Sequence, residues 1–443
     1  MAGMNLSNWL PRSPLKQGVL TLAGGTGLAQ MLAIGISPVL SRLYSPADYG
    51  VYFVVSALSG LLVFLVTVRY ELAIPLPEGA VEARQLAAIA AGLGFLLSGV
   101  AALGCHHWRQ PIFALFGAPG AGGFWWAIPV TVLAQAAYQI GYHWALRTKS
   151  YRVLAATRLW QSLSSAAVGL VVGWLVGGPL GLLLGLVLAQ AAGGWRLWRH
   201  LLARDHEETG RKRRTRLEKV ATTARRHAAF AVSGALAGFL NASGTLLPPL
   251  LVAGLYGPDP AGWMGFAVRL ISLPMQVVGT AISQVFLAEA AALMRRQPEA
   301  VAALVGRITR RTLKFAGLIL LGGALSPLVF PWLFGESWRE AGRLAAWLSL
   351  PAAAQVVVSP VSNLAVLMKR QGIQLALDAA RAIVVVLSLS LPWRFGASPQ
   401  TAVATFSTAT LTMYAVYFAA YMALARRLRG PTEGAATPSG PVV

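Results

Sequence analysis

Apolar residues run in blocks of about 20 along most of the chain, with short polar or basic segments between them. About 20 apolar residues rising 1.5 Å each cross a hydrocarbon core of roughly 30 Å, so each block predicts one spanning helix. Twelve blocks emerge, at 17–40, 49–74, 85–105, 124–146, 154–176, 179–197, 228–254, 263–290, 313–333, 344–367, 372–393 and 401–425. Only Gly177, Gly178 and Pro179 part the fifth from the sixth. That predicts a tight turn, with a single kinked element as the alternative. The expected fold class is an all-α integral membrane protein of twelve transmembrane helices in two pseudo-symmetric six-helix bundles. The expected parts are an N-terminal bundle at 1–195, a basic cytoplasmic linker at 196–227, a C-terminal bundle at 228–425 and a disordered tail at 426–443.

Two motifs recur. LYSPADYG at 43–50 follows the first block and LYGPDPAG at 255–262 the seventh, an offset of 212. LFGAPGAG at 115–122 follows the third and LFGESWREAG at 333–342 the ninth, an offset of 218. Two matches at nearly one offset indicate duplication. Copies of six spans each share one orientation, which predicts a pseudo-twofold along the membrane normal and a cleft between the halves.

Composition agrees with the pattern. Of 443 residues, 56% are hydrophobic and 12% charged, with a mean hydropathy of +0.61, too little charge to cover soluble domains. The net charge of +22 suggests nucleic acid until its placement is followed. With the N-terminus inside, 29 of the 37 Lys and Arg fall in inward segments, eleven of them between Arg196 and Arg226. That bias orients a membrane protein with both termini in the cytoplasm, and nucleic acid is not an expected partner. The 196–227 stretch, including RKRRTRLEK at 211–219, is read as a linker and topology anchor, with an anionic-lipid or partner site as the alternative. Arg12 and Lys16 precede the first block, which is read as a retained span rather than a removed signal peptide. Cys105 is the single cysteine, and neither a GxxxxGK[ST] nor an HExxH motif is present. No catalytic residues, metal or cofactor are expected, and the adjacent His106 and His107 read as membrane-surface residues.

The informative residues are charges inside the blocks, each costing about 2.5–3.5 kcal/mol or more at mid-bilayer unless it meets water or a partner. Arg69, followed by Tyr70 and Glu71, lies four-fifths through the second block. Arg269 lies about seven residues into the eighth, with no acid within a turn. Asp378 and Arg381 stand three apart in the eleventh, and Arg42 ends the first. Arg69 and Glu71 can snorkel, Asp378 and Arg381 can neutralise each other, and Arg42 can be an interfacial cation; Arg269 is hardest to dismiss. Arginines converging on one cleft imply an anionic substrate, because the guanidinium grips phosphate oxygens bidentately and stays charged. Only Asp378 of fifteen acids is central, which argues against a cation as cargo. Amides at Gln135, Gln139, Asn241, Gln276, Gln284, Gln355 and Asn363 are interhelical hydrogen-bonders or cleft-lining contacts for sugar hydroxyls. Pro129, Pro248, Pro249, Pro274 and Pro360 fall inside blocks and predict kinks.

SRLYSPADYGVYF at 41–53, VRYELAIPLP at 68–77, VRLISLPMQVVGTAISQVFLAEA at 268–290 and FGESWREAG at 334–342 resemble the Wzx-type oligosaccharide flippases of the multidrug/oligosaccharidyl-lipid/polysaccharide exporter superfamily. The resemblance covers nearly the whole chain, in order. It implies alternating access in the bacterial inner membrane and a cargo of undecaprenyl-pyrophosphate-linked glycan for O-antigen, capsule or exopolysaccharide. Beside that glycan and membrane lipids, it implies a polysaccharide polymerase and chain-length proteins as partners. Related lipid II flippases carry cavity arginines on the first, second and eighth spans, and by motif position Arg42, Arg69 and Arg269 correspond; Arg381 has no firm counterpart. The competing readings are a drug/cation antiporter of the same superfamily, a membrane-embedded polymerase or ligase, and a scaffold without transport.

Overall fold

A computed structural model describes residues 14–208, 217–297, 299–368 and 370–427. All regular structure among them is helical. The helices of the first half are α1 (Pro14–Leu43), α2 (Pro46–Val66), α3 (Ala80–His107), the short α4 (Arg109–Leu115), α5 (Ala127–Arg147), α6 (Tyr151–Leu175) and α7 (Leu180–Glu208). Those of the second are α8 (Leu217–Tyr256), α9 (Pro258–Arg296), α10 (Ala300–Phe334), α11 (Arg339–Leu367), α12 (Gln371–Arg394) and α13 (Pro399–Arg427). All but α4 run for 21 residues or more. Eight of these helices are long and apolar enough to cross a membrane. Phe95, Trp174, Leu328 and Trp332 project from the surface, as apolar side chains do where lipid is the solvent. The protein is a multi-pass membrane protein.

The repeated motifs start and stop helices. In LYSPADYG, Ser45 Oγ accepts the Asp48 amide at 3.2 Å and Asp48 Oδ2 accepts the Ser45 amide at 2.9 Å, with Pro46 opening α2. This reciprocal cap satisfies two amides the helix start would leave unpaired. In LYGPDPAG, Pro258 opens α9 in the same way. Each LFG motif ends in a glycine with positive φ, Gly117 at 67° and Gly335 at 105°, where a side chain would be strained.

These motifs meet across the halves. Gly50 on α2 lies against the Pro258 carbonyl, and Gly262 on α9 against that of Pro46, so closely that a methyl group at either would overlap backbone. Ser41 Oγ donates to the Phe334 carbonyl at 3.1 Å, and Trp338 Nε1 donates to the Ser41 carbonyl at 2.9 Å. On the other side, Gly117 packs on the Ala253 carbonyl and Gly254 on that of Leu115. Ser41 and Ala253 occupy matching places in the two copies, so each LFG turn closes on the helix end of the opposite half. A buried aromatic cluster of Tyr49, Phe266 and Trp338 fills the junction, with Phe266 and Trp338 centroids 4.3 Å apart.

At the opposite end α8 leans on the first half. Thr223 Oγ1 donates to Gln85 Oε1 at 2.6 Å, the Tyr70 hydroxyl to the Ala224 carbonyl at 3.0 Å, and Arg226 and His227 meet Glu82 at 3.2 and 3.1 Å. By contrast α1 packs mainly on α6 and touches α9 and α10 sparsely.

Two expectations change. The second block is not one helix to residue 74: α2 stops at Val66, Val68 and Arg69 turn left-handed (φ 48° and 59°), and Tyr70–Ala73 form a 3-10 turn. Thr67 caps the helix end, its Oγ1 bonding back to the Val63 carbonyl at 3.0 Å and accepting the Arg69 amide at 3.3 Å. Pro75 and Pro77 then disfavour helix at the residues before them. The basic 196–227 stretch also continues two helices, α7 to Glu208 and α8 from Leu217. Residues 209–216, Arg12 and the tail from 428 lie outside the described residues. The turn expected at Gly177–Gly178 is present, with φ of 70° and 63°.

Candidate substrate cleft

Arg269 points from α9 toward α2, its guanidinium carbon 6.0 Å from the centroid of the Tyr52 ring. It is partly accessible, and no carboxylate lies within 4 Å of it among the described residues. It also hydrogen-bonds the Tyr52 side chain, a neutral partner that does not cancel its charge.

Arg69 lies in the broken segment after α2. Its guanidinium stands 4.8 Å from the Phe64 ring, and Nε is 3.8 Å from Glu71 Oε1. The position is cramped: Gly238 of α8 backs onto Phe64 and Arg69, and Arg69 Nε and Glu71 Oε2 are buried without hydrogen bonds. Burial pushes the Glu71 carboxyl up from the usual range, against the pull of Arg69 and of its bonds to backbone and Thr67. The ion pair is therefore long and strained by desolvation, and Glu71 competes with any anion for Arg69.

Arg381 is buried in the second half. Nη2 lies 3.5 Å from Asp378 Oδ1 and donates to the Asn241 carbonyl at 2.9 Å and to Asn241 Oδ1 at 3.2 Å. Nη1 donates to the Tyr414 hydroxyl at 3.3 Å, and the Tyr417 hydroxyl donates to Asp378 Oδ1 at 2.7 Å. Arg381 fills the space that the missing side chain of Gly244 leaves. The mutual neutralisation read from the i, i+3 spacing is present, and Asn241 and two tyrosines reinforce it.

Beside this cluster, α8, α9, α11 and α13 enclose a cavity of about 550 Å³. Gln355, Asn363 and Tyr414 border it, as do Val268 and Ser272, which flank Arg269 along α9. Arg42 stands apart. It is exposed, in a groove between α1 and α10 shared with Pro38 and Trp332.

The structure holds Arg269 beside Tyr52 near the start of α2 and Arg69 beside Phe64 about 18 Å further along it, with Arg381 bonded to α8 and Arg42 exposed on α1, so the four arginines do not meet at one point. Of the amides, Gln355 and Asn363 face the cavity and Asn241 holds Arg381, while Gln284 is exposed and the Gln276 side chain lies outside the described ones. Sequence reasoning missed Tyr52, Tyr414 and Tyr417. The signal for the last two was present, since Tyr414, Tyr417 and Tyr421 recur at i, i+3 and i+7 on one helix face.

A family model described as "Polysaccharide biosynthesis protein" matches residues 39–343. No curated protein matches the sequence. Among solved structures, the lipid II flippase MurJ in an inward closed conformation is similar at a TM-score of 0.73 and 11% identity, over 92% of this chain and 89% of that one. An inward-facing multidrug resistance MATE transporter of the MOP superfamily matches at 0.66 and 12%, over 93% and 96%. A MOP-superfamily transporter from Pyrococcus furiosus, described by the reverse polarity of its binding pocket, matches at 0.61 and 12%, over 94% and 97%. At these identities the likeness is one of fold.

Proposed function

The chain belongs to the polysaccharide biosynthesis protein family, and from that premise we propose that it is a flippase. It carries an undecaprenyl-pyrophosphate-linked oligosaccharide across the bacterial inner membrane, for O-antigen, capsule or exopolysaccharide. The twelve long helices are its spans, both termini are cytoplasmic, and the two halves rock about the pseudo-twofold.

The observation that carries this reading is Arg269: a cation on a span-length helix, held over Tyr52, with no carboxylate partner among the described residues. A permanent positive charge deep in a membrane protein is sustained by an anionic ligand or by water in a cleft. Arg269 holds the pyrophosphate, and Arg69, about 18 Å further along α2 by helix rise, meets the headgroup nearer the cytoplasmic end, while the polyprenyl tail stays in lipid. Arg42 acts at the outer rim, where the headgroup leaves, and Arg381 acts behind the cavity wall. In this conformation the Gly50–Gly262 end is shut, and it is the periplasmic end. A drug/cation antiporter is less well supported, because the central acid Asp378 is already engaged by Arg381 and Tyr417.

The test is export of surface polysaccharide in cells relying on this protein. Arg269→Ala abolishes it at unchanged protein abundance, and Arg269→Lys restores only part, because Lys keeps the charge but lacks the fork. Normal polysaccharide from Arg269→Ala overturns the proposal.

A further inference from the structure

We propose that the cavity between α8, α9, α11 and α13 receives the sugars of the cargo, and that it is built for uncharged ones. This inference rests on the headgroup reading of Arg269.

The cavity's volume, about 550 Å³, falls in the range of small-molecule sites. Its lining mixes apolar side chains such as Met264 and Phe406 with hydroxyls and amides, and contains no Asp, Glu, Lys, Arg or His among the described residues. Thr245, Ser283 and Gln355 make no hydrogen bond among the described residues, and Thr410 Oγ1 is buried without a partner. In a membrane interior, unpaired polar groups are retained where something bonds to them. A sugar offers donors and acceptors around its rim and an apolar C–H face, which suits such a lining; a lipid tail or an aromatic cation would leave the amide and hydroxyls unpaired.

Position joins the two sites. Val268 and Ser272 border the cavity and flank Arg269 on the same helix, so a pyrophosphate on Arg269 delivers its first sugars to the cavity mouth.

Charge selects among sugars. Arg381 touches Tyr414 in the wall, but Asp378 cancels it at 3.5 Å while Asn241 and Tyr414 occupy its donors, and Arg269 is taken by the pyrophosphate. A uronate carboxylate entering here loses its water and finds no free counter-charge.

The experiment measures binding to the purified full-length protein in nanodiscs. Three ligands share one short polyprenyl pyrophosphate of equal headgroup charge: a methyl-capped form, one ending in a neutral disaccharide, and one ending in a disaccharide with a terminal uronic acid. The methyl-capped form binds, the neutral disaccharide gains about tenfold, and the uronate form gains nothing. In Gln355→Ala, and independently in Asn363→Ala, the neutral gain shrinks to under about threefold. If the methyl-capped form binds but the neutral sugar adds nothing, the uronate gains as much, or both variants keep the gain, the cavity assignment falls and the headgroup reading stands. If none of the three binds, both fall.

Discussion

Gly50 and Gly262 pack each against the first turn of the other's helix, Gly50 on the Pro258 carbonyl and Gly262 on the Pro46 carbonyl. They are the last residues of LYSPADYG and LYGPDPAG, so the two copies of one motif meet about a local twofold. Neither position has room for a Cβ, which ties the motif's glycine to contact between halves rather than to backbone conformation within one. If the halves rock, this contact must part.

Cross-linking tests that. Ala47 and Asp259 are matching residues of the two motifs. Paired cysteines there, in a Cys105→Ala background, cross-link with a short bifunctional reagent and stop export; a direct disulfide needs Cα atoms within about 7 Å. A cross-linked protein that still exports at the normal rate would show that this end stays shut throughout the cycle.

Glu71 gives a pH dependence with a defined sign. Burial raises its carboxyl, so falling pH neutralises it first and leaves Arg69 with its full charge for the ligand. Affinity for a polyprenyl pyrophosphate diester, which does not titrate near neutrality, rises as pH falls. Glu71→Gln binds several-fold tighter at neutral pH, and its pH dependence flattens. Binding to Glu71→Gln that is weaker at every pH would mean that Glu71 positions Arg69 rather than competing for it.

The Asp378–Arg381 pair predicts non-additive stability. Removing one partner of a buried ion pair costs about 3–5 kcal/mol, because the other charge is left uncompensated. Asp378→Ala and Arg381→Met each lower the unfolding temperature in detergent. The double variant is less destabilised than the sum of the two, since it buries no lone charge. Strict additivity would show that the two residues act separately.

Much of this was legible in the sequence, for identifiable reasons. Blocks of apolar residues as long as a bilayer is thick leave helices little alternative, and each of the twelve blocks coincides wholly or largely with a long helix. At Arg69 hydropathy misleads: apolar side chains continue through Ile74, while α2 ends at Val66, capped by Thr67, and Pro75 and Pro77 disfavour helix before them. Asp378 and Arg381 could be paired from spacing alone. Tyr52 beneath Arg269 could not, because that contact joins α2 to α9 across more than 200 residues. The place of Arg42 in the last turn of α1 was legible as the end of the first block. Its separation from the cavity depends on how α1 packs against α10, which a single sequence does not encode in any local signal.

The central claim is that this protein moves a pyrophosphate-linked glycan between leaflets through Arg269. Its most direct measurement uses liposomes holding the purified protein and a short-chain polyprenyl-pyrophosphate disaccharide confined at first to the inner leaflet. A membrane-impermeant enzyme outside that cleaves the pyrophosphate reports arrival. Release is expected at least tenfold faster than in protein-free liposomes, and at the protein-free rate with Arg269→Ala. Release no faster than in protein-free liposomes, or equal from wild type and Arg269→Ala, would contradict the account.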